Sequence, residues 1–260
     1  MCRTFHDDYN ALSTMIKRNI PNLITLGNLF CGVMAVRMVM PGRWAEAIGF
    51  ICLGIVLDFF DGLAARLLQV PSTIGKELDS LADTVTSGVA PGFLLFMILW
   101  EHSTITFFKY IAFLIPVFAA YRLAKFNVDE RQHNGLFRGL PTPANALFWV
   151  GISLWSEECE LPWAWYGLAG VDPGFWTQIF CDAGYVCLAI ISLLLNILMV
   201  SNLPMFSLKV HSLAWVDNKL QYLFAAGCLL LVLLFGIAAV PMLIVWYIIL
   251  SACTARNYAH

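Results

Sequence analysis

Long apolar runs, broken at intervals by short polar stretches, make up most of this chain. A helix crosses a bilayer with about 20 apolar residues, and the runs here approach or exceed that length. They predict eight spans, at about 22–40, 45–68, 81–100, 107–126, 140–156, 176–200, 218–235 and 237–254. The breaks between them carry turn-forming residues: Pro41-Gly42, Pro71-Ser72, Asp172-Pro173-Gly174 and Asn202-Leu203-Pro204. No internal repeat or low-complexity linker divides the chain. It reads as one all-α polytopic membrane protein, preceded at 1–20 by a weakly amphipathic segment at the membrane surface.

Composition agrees. Of the 260 residues, 60% are apolar and 12% charged, the latter about half the share of a soluble domain. A formal charge of −2 with no basic tail gives no footing for a nucleic-acid partner. The first residues are polar and of mixed charge, unlike a cleaved signal peptide. The 8 cysteines are scattered without a Cys-x-x-Cys pair, which disfavours zinc. Cys159 and Cys181 flank one loop and would pair if that loop faces an oxidising compartment.

The basic residues set an orientation. With the N-terminus in the cytoplasm, most of the 15 Lys and Arg fall on that side, and only Arg37, Arg43 and Lys109 lie toward the other. The loop at 157–175 holds acids and tryptophans but no basic residue. The positive-inside rule then places both termini and the Arg66–Asp79 region in the cytoplasm, with the tryptophans as an interfacial belt.

Four aspartates stand out against this background. Asp58 and Asp61 share one helix face, Asp79 and Asp83 another, and a short hairpin joins the two predicted helices. A carboxylate at membrane depth costs several kcal/mol unless it is paired. Four of them beside one arginine call for cations, and hard oxygen ligands suit Mg²⁺ or Mn²⁺. Two divalent ions would roughly balance the charge, and a two-metal site suits displacement at phosphorus. Gly62, Ala65 and Gly75 are small enough to let a flat ligand lie against a helix. Arg66 could fork onto phosphate oxygens.

The run Asp58, Asp61-Gly62, Ala65-Arg66, Gly75, Asp79, Asp83 resembles, position for position, the signature of the CDP-alcohol phosphatidyltransferases. The resemblance implies a six-helix membrane core at 21–210, a homodimer, and a polar cavity open to the cytoplasmic leaflet. The segment 211–260 would add about two further C-terminal helices. It also implies that Asp58, Asp61, Asp79 and Asp83 hold two divalent cations, with Asp83 the base that activates the acceptor hydroxyl. Gly62, Ala65 and Gly75 would border the cytidine pocket, and Arg66 would meet the phosphates of CDP-diacylglycerol.

Further stretches resemble the phosphatidylserine synthase branch of that family: Ile20 to Asn28, Leu78 to Asp83 continuing to Pro91, Arg122 to Asn127, and Gly139 to Ala144. Ser201 to Pro204 with Lys209 fits more loosely. L-serine as acceptor would need a cation for its carboxylate, and Arg122, Lys125 and Arg138 lie on the same side as the aspartates, with Asn127 beside them. The same residues would equally anchor anionic lipid heads. Asn22, Thr25 and Asn28 share one face of an apolar helix, placed either to meet CDP-diacylglycerol or to pack helix on helix. Two other readings remain open: the same fold with a glycerol phosphate or inositol phosphate acceptor, and a cation transporter with the aspartates as its ion site. The transporter reading is disfavoured because the acids gather at cytoplasmic helix ends and no inverted repeat is visible.

Overall fold

A computed structural model describes residues 5–70, 72–102, 106–128, 137–155, 183–205 and 218–258. The acidic Trp-rich loop, Cys159, Cys181 and Lys209 lie outside the described residues. The chain is a multi-pass helical membrane protein. Its helices are α1 (Phe5–Val39), α2 (Trp44–Leu67), α3 (Thr73–Asp83), α4 (Ala90–His102), α5 (Leu114–Val128), α6 (Thr142–Ser153), α7 (Ala183–Val200), α8 (Lys219–Phe235) and α9 (Val240–Tyr258). A π-helical turn, Thr84–Val89, fuses α3 to α4, and a 3₁₀ segment, Thr106–Phe113, leads into α5.

The inside and outside of the bundle follow from helical periodicity. On α1, Thr25, Asn28, Cys31, Ala35 and Val39 recur at three- and four-residue steps and are buried, chiefly against α2. The opposite face shows Leu23, Leu26, Phe30 and Val33, large apolar side chains left exposed. In water such a stripe would be a liability; in acyl chains it is the solvated surface. α2 repeats the pattern, burying Trp44, Ala47, Ile48, Ile51 and Gly54 while exposing Leu53, Val56, Phe59 and Phe60. The core is filled from α4, α5, α6 and α7 by Leu94, Leu95, Leu99, Ile115, Trp149, Leu188 and Met199.

The helices extend past the apolar runs in places. α1 runs unbroken from Phe5 through Pro21 to Val39, and its apolar part of membrane-spanning length starts at Asn19, close to the expected 22. Proline removes one backbone donor, and the hydroxyl of Thr25 reaches the Pro21 carbonyl at 3.0 Å. The third span begins at Thr73 rather than 81, because the helix that carries Asp79 and Asp83 continues through the π turn to Trp100. Asp79 and Asp83 therefore sit well inside that helix. The described part of the fifth span is only the twelve residues of α6.

The C-terminal apolar stretch Lys219–Thr254 is continuous in composition but turns back on itself. Gly236 has φ +57, a conformation that glycine adopts without strain, and closes α8. The hairpin is proved by contacts across it: Phe224 and Tyr247 rings lie 5.9 Å apart, and Gly227 packs against Trp246. The two predicted C-terminal spans are thus antiparallel neighbours. α9 packs on α6, and Trp155, just past the end of α6, donates its indole N–H at 2.9 Å to the carbonyl of Ala238 in the turn before α9. A two-residue ladder, β1 (Phe137–Arg138) with β2 (Pro204–Met205), ties the approach to α6 to the end of α7.

Candidate active site

The site is assembled where α2 ends and α3 begins. Ser72 caps α3 by accepting the Gly75 N–H at 2.9 Å, which fixes the return of the chain after α2. Asp58 and Asp61, on the last turns of α2, then face Asp79 on α3. Each of these three offers a carboxylate oxygen, and the three oxygens lie within 4.8 Å of one another. Asp61 is buried and accepts the Thr25 hydroxyl at 2.6 Å. One oxygen of Asp79 is buried with no hydrogen-bond partner. No basic side chain among the described residues forms an ion pair with these acids; the ion pair that is present, Arg43–Glu46, lies at the far end of α2. Converging hard oxygens, one of them orphaned and none neutralised, fit a divalent cation.

Asp83 stands outside this triple, one turn further along α3. Its Oδ1 accepts a hydrogen bond from the Asn28 amide at 3.2 Å, and the Asn28 backbone carbonyl accepts the Thr86 hydroxyl at 2.9 Å. Thr86 lies in the π turn, a helix irregularity that tends to occur at functional sites. It is seated between Gly32 of α1 and Gly54 of α2, where an added Cβ would come within 2.5 Å of it.

Beside the acids is a cavity of about 230 Å³. Its walls are Pro21, Asn22 and Thr25 of α1, Asp61, Gly62 and Ala65 of α2, Val70 and Ser72 of the connection, and Gly75, Lys76 and Asp79 of α3. Five of the seven residues expected to contact the nucleotide-linked lipid, Asn22, Thr25, Gly62, Ala65 and Gly75, therefore line this one cavity. Gly75 must be small: a Cβ there would stand 2.8 Å from the Ser72 hydroxyl and 3.1 Å from the Asn22 side-chain oxygen. Asn28 is turned to Asp83 instead. Arg66 is exposed and folds over its own helix, donating Nε–H to the Gly62 carbonyl at 3.0 Å. Lys76, which sequence reasoning counted only toward orientation, lines the cavity and donates to the Asn127 carbonyl at 3.4 Å. Its position next to Gly75 was the available signal.

The 18–176 stretch matches the model of the CDP-alcohol phosphatidyltransferase family. The chain belongs to that family. Among relatives, the CDP-diacylglycerol–serine O-phosphatidyltransferase of Bacillus subtilis (strain 168) is 41% identical over 135 residues, covering 52% of this chain and 75% of that protein. The protein of the same name from Mycobacterium leprae (strain TN) is 27% identical over 240 residues, 89% of this chain and 71% of the relative. That from Saccharomyces cerevisiae (strain ATCC 204508 / S288c) is 34% identical over 164 residues, 57% of this chain and 58% of the relative.

In this CDP-alcohol phosphatidyltransferase the four polar residues expected at the acceptor separate into distinct environments. Arg122 reaches toward the acids: its Nη1 donates to the Thr142 hydroxyl at 2.8 Å, its Nε has no partner, and Asp83 is its charged neighbour. Thr142 was not singled out beforehand, although it lies in the Gly139–Ala144 stretch. Lys125 is engaged elsewhere, donating to the Val200 carbonyl at 3.3 Å and the Asn202 side chain at 3.1 Å. Asn127 donates to the Ser80 hydroxyl at 2.8 Å, holding the end of α5 on α3. Arg138 lies in β1 opposite Pro204, and its side chain is outside the described residues.

Proposed function

We propose that this enzyme transfers the phosphatidyl group of CDP-diacylglycerol to the hydroxyl of L-serine, forming phosphatidylserine and releasing CMP. The observation that carries this reading is the juxtaposition of the acid triple with a cavity walled by the small residues of the signature. The likeness to the Bacillus subtilis enzyme supports serine as the acceptor. CDP-diacylglycerol enters laterally from the membrane and seats its cytidine among Gly62, Ala65 and Gly75, with Asn22, Thr25 and Lys76 lining the same cavity. Asp58, Asp61 and Asp79, with Asp83 at the edge, would hold two divalent cations, Mg²⁺ or Mn²⁺, whose chemistry is to offset the charge of the pyrophosphate.

Asp83 is the base, held at Oδ1 by Asn28. It takes the proton of the serine hydroxyl, and the serine oxygen forms a bond to the phosphorus that carries the diacylglycerol. The bond from that phosphorus to the CMP oxygen breaks, and CMP leaves. Arg122, with a free N–H edge, is the cation for the serine carboxylate. Most of the rate comes from placing the reacting atoms and offsetting their charge. The protein sits in the inner membrane with its active site and both termini cytoplasmic, on the distribution of basic residues, and as a homodimer, on the family resemblance.

Membranes containing the protein should release CMP from CDP-diacylglycerol only when L-serine is supplied. EDTA should abolish that release, and Mg²⁺ or Mn²⁺ should restore it. Release driven by glycerol 3-phosphate or inositol phosphate but not by serine would replace the acceptor.

A further inference from the structure

The sequence offers Arg66 as the cation for the donor's phosphates, but the structure turns that side chain aside. Arg66 is exposed, donates to the Gly62 carbonyl of its own helix and is absent from the cavity lining. The basic residue that does line the cavity is Lys76 of α3. It stands three residues before Asp79, so the two share a helix face, about 4.5 Å apart along the axis. Both line the cavity, yet among the described residues Lys76 forms no ion pair with Asp79 or with any other acid.

Its Nζ donates instead to the backbone carbonyl of Asn127, at the end of α5, over a long 3.4 Å. An ammonium has three donors, and one weak bond leaves it able to bind an anion. That bond is part of a closed ring. The Asn127 Nδ2 donates to the Ser80 hydroxyl at 2.8 Å, and the Ser80 hydroxyl donates to the Lys76 carbonyl at 3.2 Å. The end of α5 is thus fastened to α3 at the residue that carries the charge. Restricting a long side chain before substrate arrives removes part of the entropy that binding would otherwise cost.

A pyrophosphate spreads its negative charge over two phosphorus centres. Cations held by the acid triple would meet it from one side, and a compact ammonium one helical turn away would meet its remaining oxygens. We infer that Lys76 is a donor-binding residue whose ammonium meets the pyrophosphate of CDP-diacylglycerol, and that Asn127 is the positioning residue that aims it. Asn127 then serves the donor and not serine. This rests on CDP-diacylglycerol as the proposed donor, and it holds whichever alcohol is the acceptor.

Two variants of the full chain in detergent, with Mg²⁺ in excess, test this. Lys76→Met keeps the stem and removes the charge. KM for CDP-diacylglycerol should rise about tenfold, while KM for L-serine stays within about twofold. Competition by nucleotides locates the contact: CDP should compete about tenfold less well in Lys76→Met, and cytidine, which has the base and sugar alone, should compete as in wild type. Asn127→Ala keeps the backbone carbonyl and removes the amide that fastens it. Its KM for CDP-diacylglycerol should rise about two- to threefold, again with little change for serine. Unchanged CDP competition in Lys76→Met, equal weakening of CDP and cytidine, or a rise confined to serine in either variant would overturn the inference. A wild-type protein that binds neither CDP nor CDP-diacylglycerol would instead remove the proposed donor, and the same competition assay reads that first.

Discussion

Asn28 holds Asp83 from α1, and Thr86 in turn holds the Asn28 backbone from the π turn. Three helical segments thus set the place of one carboxylate. Asp83→Asn keeps the shape and removes the proposed base, so turnover should fall by at least about a hundredfold while CDP-diacylglycerol still binds. Asn28→Ala leaves the base but frees it to move, and kcat should drop about tenfold with little change in substrate binding. CMP release and a CDP-diacylglycerol binding assay on both variants check this; normal turnover in Asp83→Asn would remove Asp83 from the role of base. The four aspartates were legible from spacing alone, because residues three or four apart must share a helix face. That Asp83 stands apart from the other three was not, because its partner Asn28 comes from another helix.

Among the elements, the π turn has the largest effect on the site. It follows Asp83 directly and carries Thr86 into a seat between α1 and α2. Gly32 makes that seat. A Cβ there would stand 2.5 Å from the Thr86 hydroxyl oxygen and 2.9 Å from its Cα, and the second of these is backbone that cannot swing away. Gly32→Ala should therefore destabilise the protein by about 1–3 kcal/mol, seen as a lower melting midpoint in detergent, with a loss of activity as Asn28 and Asp83 shift. An unchanged midpoint would show that the seat can widen. Apolar periodicity gave no warning of the π turn, since one extra residue in a helical turn hardly alters a run of apolar side chains. The reach of α1 back to Phe5 is a related case: the polar residues before Asn19 end the apolar run but do not end the helix.

Across the whole molecule, the basic residues of one membrane face divide their work. Lys125 joins α5 to the end of α7 through the Val200 carbonyl and the Asn202 side chain, close to where β1 and β2 pair. Arg122, one turn earlier on α5, keeps a free N–H edge toward the acids. Lys125→Met should accordingly cost about 1 kcal/mol in stability and leave the serine KM within about twofold of wild type. Arg122→Met should raise that KM far more. A large rise in Lys125→Met would return the lysine to the acceptor site. Thermal melts and serine titrations separate the two cases.

The amino-acid sequence by itself determined the membrane architecture, because lipid rewards long apolar helices and their lengths can be read along one dimension. It also determined the acid cluster, since helical spacing and a tight hairpin bring nearby residues together whatever surrounds them. Only the tertiary structure decided which polar side chains remain free to act. Arg122 and Lys125 are chemically alike in sequence, and the difference between them lies in partners far along the chain. The seating of the C-terminal hairpin belongs to the same class: its last helix, α9, packs back onto α6, far away along the chain, and no local pattern encodes that contact.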